Sequence, residues 1–365
     1  MRRRIVLLGA TGYTGRLVAE ALVHHRARPV LAGRSSQNLS ALGAELGKGL
    51  DTVVADVRSL DSLLALLKRD DVLVSTVGPF VRYGELVVDA AIQAGATYID
   101  SCGEPPFLRR VFEAYAPHAQ EAGVALVPGC GFEYVVGSLA AWLALQAAGD
   151  RATAVDVGYF VAGRFRKWAS AGTRASVGAS AVAPHFAWRG GELVEVPAGD
   201  QVRTFAVNGS ERPALAIGGL EHLTLPRLRP SLRDVNVYLG AARSERGART
   251  AAKVAAMAGR VPGAPATVCW FSALPRSKEG PDETERAKVS GYVTATAYDA
   301  EGQALRAVRL NCPNPYTFTG KFLAWAAMHA AAAGVSGKGA IGPVEAFGLA
   351  SLAEGCVTAG LSAAS

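Results

Sequence analysis

The chain has 365 residues, of which 50% are hydrophobic and 19% charged, and this composition excludes a disordered protein. Five scattered cysteines without a C-x-x-C pair and six histidines without ligand spacing argue against a disulfide framework and predict no metal site. The net charge of +7 favours anionic ligands. The apolar stretches are too short to span a membrane and no export signal is visible, which predicts a cytoplasmic protein that enters no membrane. Few aromatic residues lie among the arginines, so we expect no binding of nucleic acid.

The first predicted strand, residues 5–8, leads into the turn G-A-T-G-Y-T-G and then into a helix with one apolar face. Gly9 allows a tight turn, Gly12 lets the backbone approach a pyrophosphate, and Gly15 lets the helix pack on the strand. The spacing is one residue longer at its front than the usual dinucleotide fingerprint, and an ordinary strand-to-helix turn is the alternative. The residues predicted to bind a dinucleotide here are Gly9, Thr11, Gly12, Tyr13, Thr14 and Gly15.

The turn after the second predicted strand, residues 28–32, indicates which dinucleotide binds. An NAD site places an acidic residue there to hold the ribose 2′-hydroxyl, whereas an NADP site needs a cation and small donors for the 2′-phosphate. This chain has Gly33 in place of the acid, followed by Arg34 and Ser35. We therefore predict NADP(H), bound by Arg34 and Ser35, with a surface arginine in a turn as the alternative for Arg34.

The next two predicted strands, 52–55 and 71–77, end in loops expected beside the cofactor. The first loop should reach the adenine edge, although Asp56 is equally suited to cap the helix predicted at 59–68. The second loop should run beside the second ribose. The residues concerned are Asp56, Val57, Gly78, Pro79 and Phe80.

Two further predicted strands, 97–100 and 124–127, end in segments that should surround the nicotinamide. A reduction also needs a proton donor, which we seek on these segments and on the loop before a helix predicted at 86–94. The candidates are Tyr83, Cys102, Glu104 and Tyr134. Alternatively, the two tyrosines only pack in the core, and Cys102 is a small buried residue without a chemical role. The alternative for Glu104 is that its carboxylate accepts backbone amides in its own turn.

After about residue 151 the pattern changes to alternating strands, which predicts a second domain. Strands are predicted at 155–161, 194–196, 235–239, 268–271, 289–297 and 305–312, helices at 172–183 and 241–258, an exposed loop at 275–286, and a hairpin turn at 299–302. Apolar helices at 318–333 and 344–360 should return to the first domain. The predicted fold class is α/β, a Rossmann doubly wound parallel sheet plus an inserted α+β domain with a mostly antiparallel sheet. The predicted domains are 1–135, 136–315 and 316–365.

The motifs together resemble the saccharopine dehydrogenase-like oxidoreductases, nearest the branch of trans-acting enoyl reductases. They lie at 9–15, 32–34, 75–80, 83–84, 98–100, 103–104, 128–132, 171–176 and 342–348. The resemblance implies an NADP-binding domain, an inserted sheet domain for substrate and often dimerisation, and a C-terminal return. Where relatives continue the 128–132 loop through an aspartate, a small residue and a proline, this chain has Glu133, Tyr134 and Val135.

The resemblance implies an NADPH-dependent reductase of an activated C=C bond in a polyketide- or lipid-like biosynthetic intermediate. The alternatives are an imine reductase of the saccharopine type and a non-catalytic NADP sensor. Substrate contacts are expected from Cys130, Phe132, Glu133, Lys167, Thr173 and Ser176, with helix capping as the competing role for Thr173 and Ser176. We expect a homodimer, and the arginine-rich region 227–260 is either a dock for an acidic carrier protein or a solvated face.

Overall fold

The computed structural model describes residues 3–47, 49–162, 170, 173–174, 176, 185–197, 199–207, 209–240, 244–247, 249–250, 253 and 280–364. The chain forms two compact units that are each discontinuous in sequence. Unit 1 contains Met1–Gly103, Phe107–Phe132 and Tyr316–Gly360. Unit 2 contains Glu104–Pro106, Glu133–Pro315 and Leu361–Ser365.

The strands are β1 Ile5–Leu8, β2 Val30–Gly33, β3 Thr52–Val54, β4 Val72–Ser75, β5 Thr97–Asp100, β6 Ala125–Val127, β7 Ala154–Val161, β8 His185–Arg189, β9 Glu192–Val196, β10 Val202–Val207, β11 Ser210–Ala216, β12 Asp234–Gly240, β13 Gly291–Tyr298, β14 Ala304–Cys312, β15 Gly339–Ala340 and β16 Ser362–Ala363. The helices are α1 Tyr13–His24, α2 Ser36–Leu46, α3 Leu60–Leu66, α4 Phe80–Ala94, α5 Pro105–Arg110, α6 Ala116–Glu121, α7 Phe132–Ala148, α8 Leu220–Leu228, α9 Glu283–Ala287, α10 Pro315–Ala333, α11 Pro343–Phe347 and α12 Leu349–Thr358. A π-helical turn covers Val111–Tyr115 and a 3-10 turn covers Gly149–Arg151.

Unit 1 is organised on a parallel seven-stranded sheet in the order β15-β6-β5-β4-β1-β2-β3. Every residue of β1, β2 and β4 is buried, as expected for a parallel sheet covered on both faces. The strand order reverses beside β1, and ligands of doubly wound sheets bind at the carboxyl ends of the strands at such a point. Within this unit Gly320 of α10 lies against α1, where a Cβ would stand 2.8 Å from Leu17 Cβ.

Unit 2 contains a mixed, mostly antiparallel sheet in the order β10-β11-β12-β7-β13-β14-β16, with β8 and β9 attached to β12. The β7–β12 pair is parallel and the other pairs are antiparallel. The predicted hairpin turn joins β13 to β14, with Gly302 in the left-handed region at φ 76°. The two sheets confirm the predicted fold class. In the part of the chain that the structure describes, no helix combines the length and apolarity needed to cross a membrane.

Several element boundaries differ from the sequence prediction. The helix α4 begins at Phe80, so Tyr83 lies inside its first turn and not on a loop before it. The predicted loop 275–286 ends too late, because a helix, α9, begins at Glu283. The side chains of Asp282 and Glu285 accept from each other's backbone amides and so start this helix. The sequence also missed β8, β10, β11 and α8. Pro213 within β11 and Pro226 within α8 obscure two of these elements, since proline normally interrupts both patterns.

Some predicted elements lie wholly or partly outside the described residues. These are the strand at 268–271, most of the helices at 172–183 and 241–258, and the first part of the loop at 275–286. Where the structure describes residues in the two predicted helices, the helical ones are Thr173, Arg174, Ser176, 245–247, 249–250 and 253.

Candidate functional site

The glycine turn after β1 forms a cradle that larger residues would fill. Gly9 has φ 86°, and a Cβ there would lie 2.7 Å from Val77 Cγ2 and 2.8 Å from Thr76 Oγ1. A Cβ at Gly15 would lie 2.9 Å from Ala10 Cα and would overlap the Gly9 backbone. The turn can therefore be this tight only with glycine at both places.

The N-terminus of α1 is suited to an anion. Its N-cap is Gly12, which has no side chain to accept the first helix amides, and Gly12 N donates to Gly9 O at 2.9 Å. Tyr13 and Thr14 begin the helix, where backbone N–H groups and the helix dipole favour negative charge. The tight backbone and the helix end together fit the pyrophosphate of a dinucleotide.

The turn after β2 provides the features of a 2′-phosphate site. A Cβ at Gly33 would be in ordinary van der Waals contact with Thr11 Oγ1 and Leu39 Cδ2, both at 3.7 Å. Arg34 follows as an exposed cation. Ser35 is the N-cap of α2, and its hydroxyl oxygen accepts from Asn38 N at 3.2 Å, which leaves the hydroxyl hydrogen to donate.

In the loop after β3, the capping alternative for Asp56 is wrong. Ser59, not Asp56, caps α3 by accepting from Ser62 N at 3.2 Å. The Asp56 carboxylate instead accepts from Arg58 Nη2 at 2.7 Å and from Arg58 Nε at 3.1 Å. These bonds, helped by the charge of Arg34, lower the pKa of Asp56 to about 2. Val57 between them is buried.

The loop after β4 passes directly into α4. A cis peptide joins Gly78 to Pro79, and Pro79 is the N-cap of α4. Phe80 is buried and packs on Phe107, with ring centroids 5.7 Å apart. Tyr83 is half-buried, and the Arg82 guanidinium stands 5.1 Å from the centre of its ring. Tyr83 is thus held on a helix and not on a free loop.

A single carboxylate joins the ends of β5 and β6. Asp100 Oδ2 accepts from the Tyr98 hydroxyl at 2.6 Å, and Oδ1 accepts from Cys102 N at 2.8 Å and Gly129 N at 2.7 Å. Cys130 N donates to the Asp100 carbonyl at 2.7 Å. The segments predicted to surround the nicotinamide are therefore held in register by Asp100.

The two site cysteines are buried in unit 1. Burial, together with the Asp100 charge, raises the pKa of the Cys130 thiol well above its usual range. A thiol that stays protonated is a poor nucleophile, which favours a packing role for Cys130. Cys102 is buried as well. Phe132, another predicted substrate residue, is also buried in this unit, and its backbone N–H donates to Thr319 Oγ1 at 3.0 Å.

In unit 2, a carboxylate and a hydroxyl form a close pair. Glu104 is fully buried, and Ser176 Oγ donates to its Oε1 at 2.7 Å. The Cys102 amide of the preceding turn donates to Asp100 Oδ1. Thr173 N donates to Ser170 Oγ at 3.2 Å, which makes Ser170 the capping residue. The predicted substrate residue Lys167 lies outside the described residues.

A second buried carboxylate in unit 2, that of Glu221, is linked through Tyr159 to the strained backbone of Tyr134. Tyr134 has φ 65° and ψ −48°, a conformation that costs free energy for a residue with a side chain, and it interrupts α7. Its N–H donates to the Tyr159 hydroxyl at 2.8 Å, and that hydroxyl donates to Glu221 Oε1. Burial raises the pKa of Glu221 to about 7 and also raises the pKa of Glu133. The Tyr134 side chain is itself buried.

Sequence reasoning missed Tyr159, Glu221 and Arg58 and gave no role to Asp100. Tyr159 stands in an alternating strand that looks like any other, and Glu221 lies in the proline-containing α8. The sequence did contain a signal for Asp100, because an acidic residue at the end of an apolar strand is rarely buried unless its carboxylate has hydrogen-bond partners.

Comparisons with known proteins identify the N-terminal part. Residues 5–127 match the family model described as saccharopine dehydrogenase NADP binding domain. A Mycobacterium tuberculosis protein named as a trans-acting enoyl reductase is 40% identical over 149 residues, covering 40% of this chain and 36% of that protein. The trans-acting enoyl reductase of Mycobacterium leprae is 39% identical over 140 residues, covering 37% of this chain and 34% of the relative. The match thus spans about a third of the length of these relatives.

Two solved structures share the whole fold. Apo saccharopine dehydrogenase (L-Glu forming) from Saccharomyces cerevisiae has a TM-score of 0.59 at 12% identity, covering 100% of both chains. Homospermidine synthase from Legionella pneumophila, in complex with NAD, has a TM-score of 0.58 at 10% identity, covering 100% of this chain and 92% of that one. The predicted resemblance is confirmed: the chain carries an NADP-binding domain of the saccharopine dehydrogenase type, with NADP(H) as its cofactor.

Proposed function

We propose that the chain, with its saccharopine dehydrogenase-type NADP-binding domain, is an NADPH-dependent reductase of an activated C=C bond in a polyketide- or lipid-like biosynthetic intermediate. The observation that carries the proposal is the glycine cradle followed by Arg34 where an NAD site would have an acid. The names of the mycobacterial relatives, trans-acting enoyl reductases, support the C=C bond. Bound NADPH would supply the hydride.

The protein's part in this reaction is to orient the substrate and to deliver a proton. We assign proton delivery to Ser176 and Glu104. Ser176 is half-buried, and its hydroxyl donates to the fully buried Glu104 at an oxygen–oxygen distance of 2.7 Å. Ser176 would give its hydroxyl proton to the substrate atom that gains charge, Glu104 would hold that hydroxyl in position, and water would return the proton to Ser176. Tyr83 remains a second candidate, whereas Tyr134 is tied into the interruption of α7.

The test is a substrate screen that follows NADPH absorbance with enoyl thioesters, cyclic imines and ketones. We expect turnover of the enoyl class. Glu104→Gln and Ser176→Ala should each lower kcat by about a hundredfold, the usual contribution of a positioned acid, without changing NADPH affinity. An unchanged kcat in both variants would remove these residues from the mechanism.

The same screen distinguishes the other functions. Turnover of the imines alone would replace the C=C assignment with a saccharopine-type reductase. NADPH binding without turnover of any class would support a nucleotide sensor.

The description of the relatives as trans-acting supports a substrate held by a separate protein, and an acidic carrier would suit the basic region 227–260. Arg229 is not free for this role, because its guanidinium donates to Leu145 O at 3.0 Å. Arg233 and Arg246 are exposed. Replacing both with glutamine should slow turnover of carrier-bound substrate at low salt. The matched control replaces Arg306 and Arg309 in β14, and equal effects would discard the dock.

A further inference from the structure

Two arginines and one aspartate meet where β2 and β3 end. The strands are parallel neighbours, with Gly33 opposite Val54, and Ala55 N donates to Gly33 O at 2.9 Å. The residues that follow, Arg34 after β2 and the Asp56 loop after β3, therefore leave the sheet at the same edge. This is the carboxyl edge, where the adenosine ribose of a dinucleotide lies in a doubly wound sheet.

Arg58 is exposed and yet fixed in orientation. Its side chain is 65% exposed, while Nη2 and Nε donate to Asp56 at 2.7 Å and 3.1 Å. A two-point bond of this kind defines the plane of a guanidinium and lowers the entropy lost when it binds a further anion. Among the residues that the structure describes, no hydrogen bond uses Arg58 Nη1, so its two N–H groups are available to a ligand.

Arg34 acts on the same carboxylate. Its positive charge adds to that of Arg58 in lowering the pKa of Asp56, which places both cations within electrostatic reach of one group. The three charges sum to +1 at neutral pH. That surplus suits an added phosphate, whereas a 2′-hydroxyl would gain little from a second cation.

We infer that Arg58 is the second cation of the 2′-phosphate site, that Asp56 orients it, and that Arg58 together with Arg34 determines the preference for NADPH over NADH. The sequence placed only Arg34 and Ser35 at this phosphate. The chemical group recognised is a monoester phosphate on the adenosine ribose, and recognition does not depend on which bond the protein reduces.

The experiment measures binding alone, by isothermal titration of NADPH and NADH into the whole chain. Arg58→Gln should weaken NADPH binding about tenfold to a hundredfold, as expected for one charge-assisted bond, and leave NADH within about twofold. The fragments 2′,5′-ADP and 5′-AMP, which differ only in the 2′-phosphate, should reproduce the difference. Arg58→Lys keeps the charge but loses the two-point bond, so its affinity should fall between the others.

The matched control is Arg110→Gln. Arg110 is also exposed and paired with a carboxylate, since its side chain is 57% exposed and its Nε lies 2.9 Å from Glu85 Oε1. It should bind both dinucleotides like the unmodified protein. An equal loss for NADPH and NADH in Arg58→Gln would mean that Arg58 contacts the adenine or ribose and would overturn the proposal. Unchanged affinity for both would overturn it as well.

Discussion

Replacing Asp100 with alanine should loosen the ends of β5 and β6 together, because one carboxylate serves both. The Tyr98 hydroxyl and the amides of Cys102 and Gly129 would lose their acceptor. Tyr98 and Asp100 are both fully buried, so water cannot replace the carboxylate unless the surrounding structure opens. The predicted nicotinamide segments would then lose their common support.

The size of the effect follows from the three donors. A buried donor left without an acceptor costs about 1–3 kcal/mol, so three would cost roughly 3–9 kcal/mol. Removal of a buried charge offsets part of this cost, and we expect a net loss of about 3–5 kcal/mol. Tyr98→Phe removes one donor and leaves the other two bonds intact, so it should cost about 1 kcal/mol. Asp100→Asn still offers an oxygen to both amides and should lie between these values.

Hydrogen–deuterium exchange followed by mass spectrometry measures the loosening directly. Peptides covering 98–104 and 125–132 should both exchange faster in Asp100→Ala, while peptides from α2 should not change. Urea unfolding gives the accompanying loss of stability. The reasoning would be refuted if only one of the two peptides opened, or if Asp100→Ala were no less stable than Tyr98→Phe.

Three other variants test separate parts of the structure. Gly15→Ala should abolish NADPH binding in calorimetry, because a Cβ there overlaps the preceding turn, whereas Gly43→Ala, with its nearest neighbour at 3.7 Å, should bind normally. Burial raises the pKa of Glu221 to about 7 and lowers that of His222 to about 4. Glu221 therefore lowers the free energy of unfolding by about 3 kcal/mol as pH rises from about 4.5 to 7. His222 lowers it by about 3 kcal/mol as pH falls from about 6.5 to 4. The two slopes oppose each other, so Glu221→Gln should gain about 3 kcal/mol relative to the unmodified protein between pH 4.5 and 7 in urea unfolding, and a pH-independent difference would contradict this. Tyr159→Phe should cost about 1–3 kcal/mol and speed amide exchange at the interruption of α7, and slow exchange there would show that another group holds this backbone.

The tight glycine turn between β1 and α1 could be predicted because its parts are adjacent in sequence. A buried strand, three glycines and a helix follow one another between Ile5 and His24, so local sterics and the helix end decide the geometry. The choice of NADP(H) depended on a missing acid at Gly33 and was equally local. The alternation of apolar residues was also sufficient for the two-sheet fold class, since it reports which face of each strand is buried.

Other features depend on residues that only the folded chain brings together. Tyr159 and Glu221 are separated by 62 positions, and Gly129 and Asp100 by 29. Arg58 gains significance only because β2 and β3 are neighbours in the sheet. Hydrogen bonds and charges act over a few ångströms of space, whatever the separation along the chain. The sequence by itself therefore determined the fold class, the glycine turn before α1 and the cofactor, while tertiary structure decided which carboxylates are buried, which amides they hold and which cations stand together at the ends of β2 and β3.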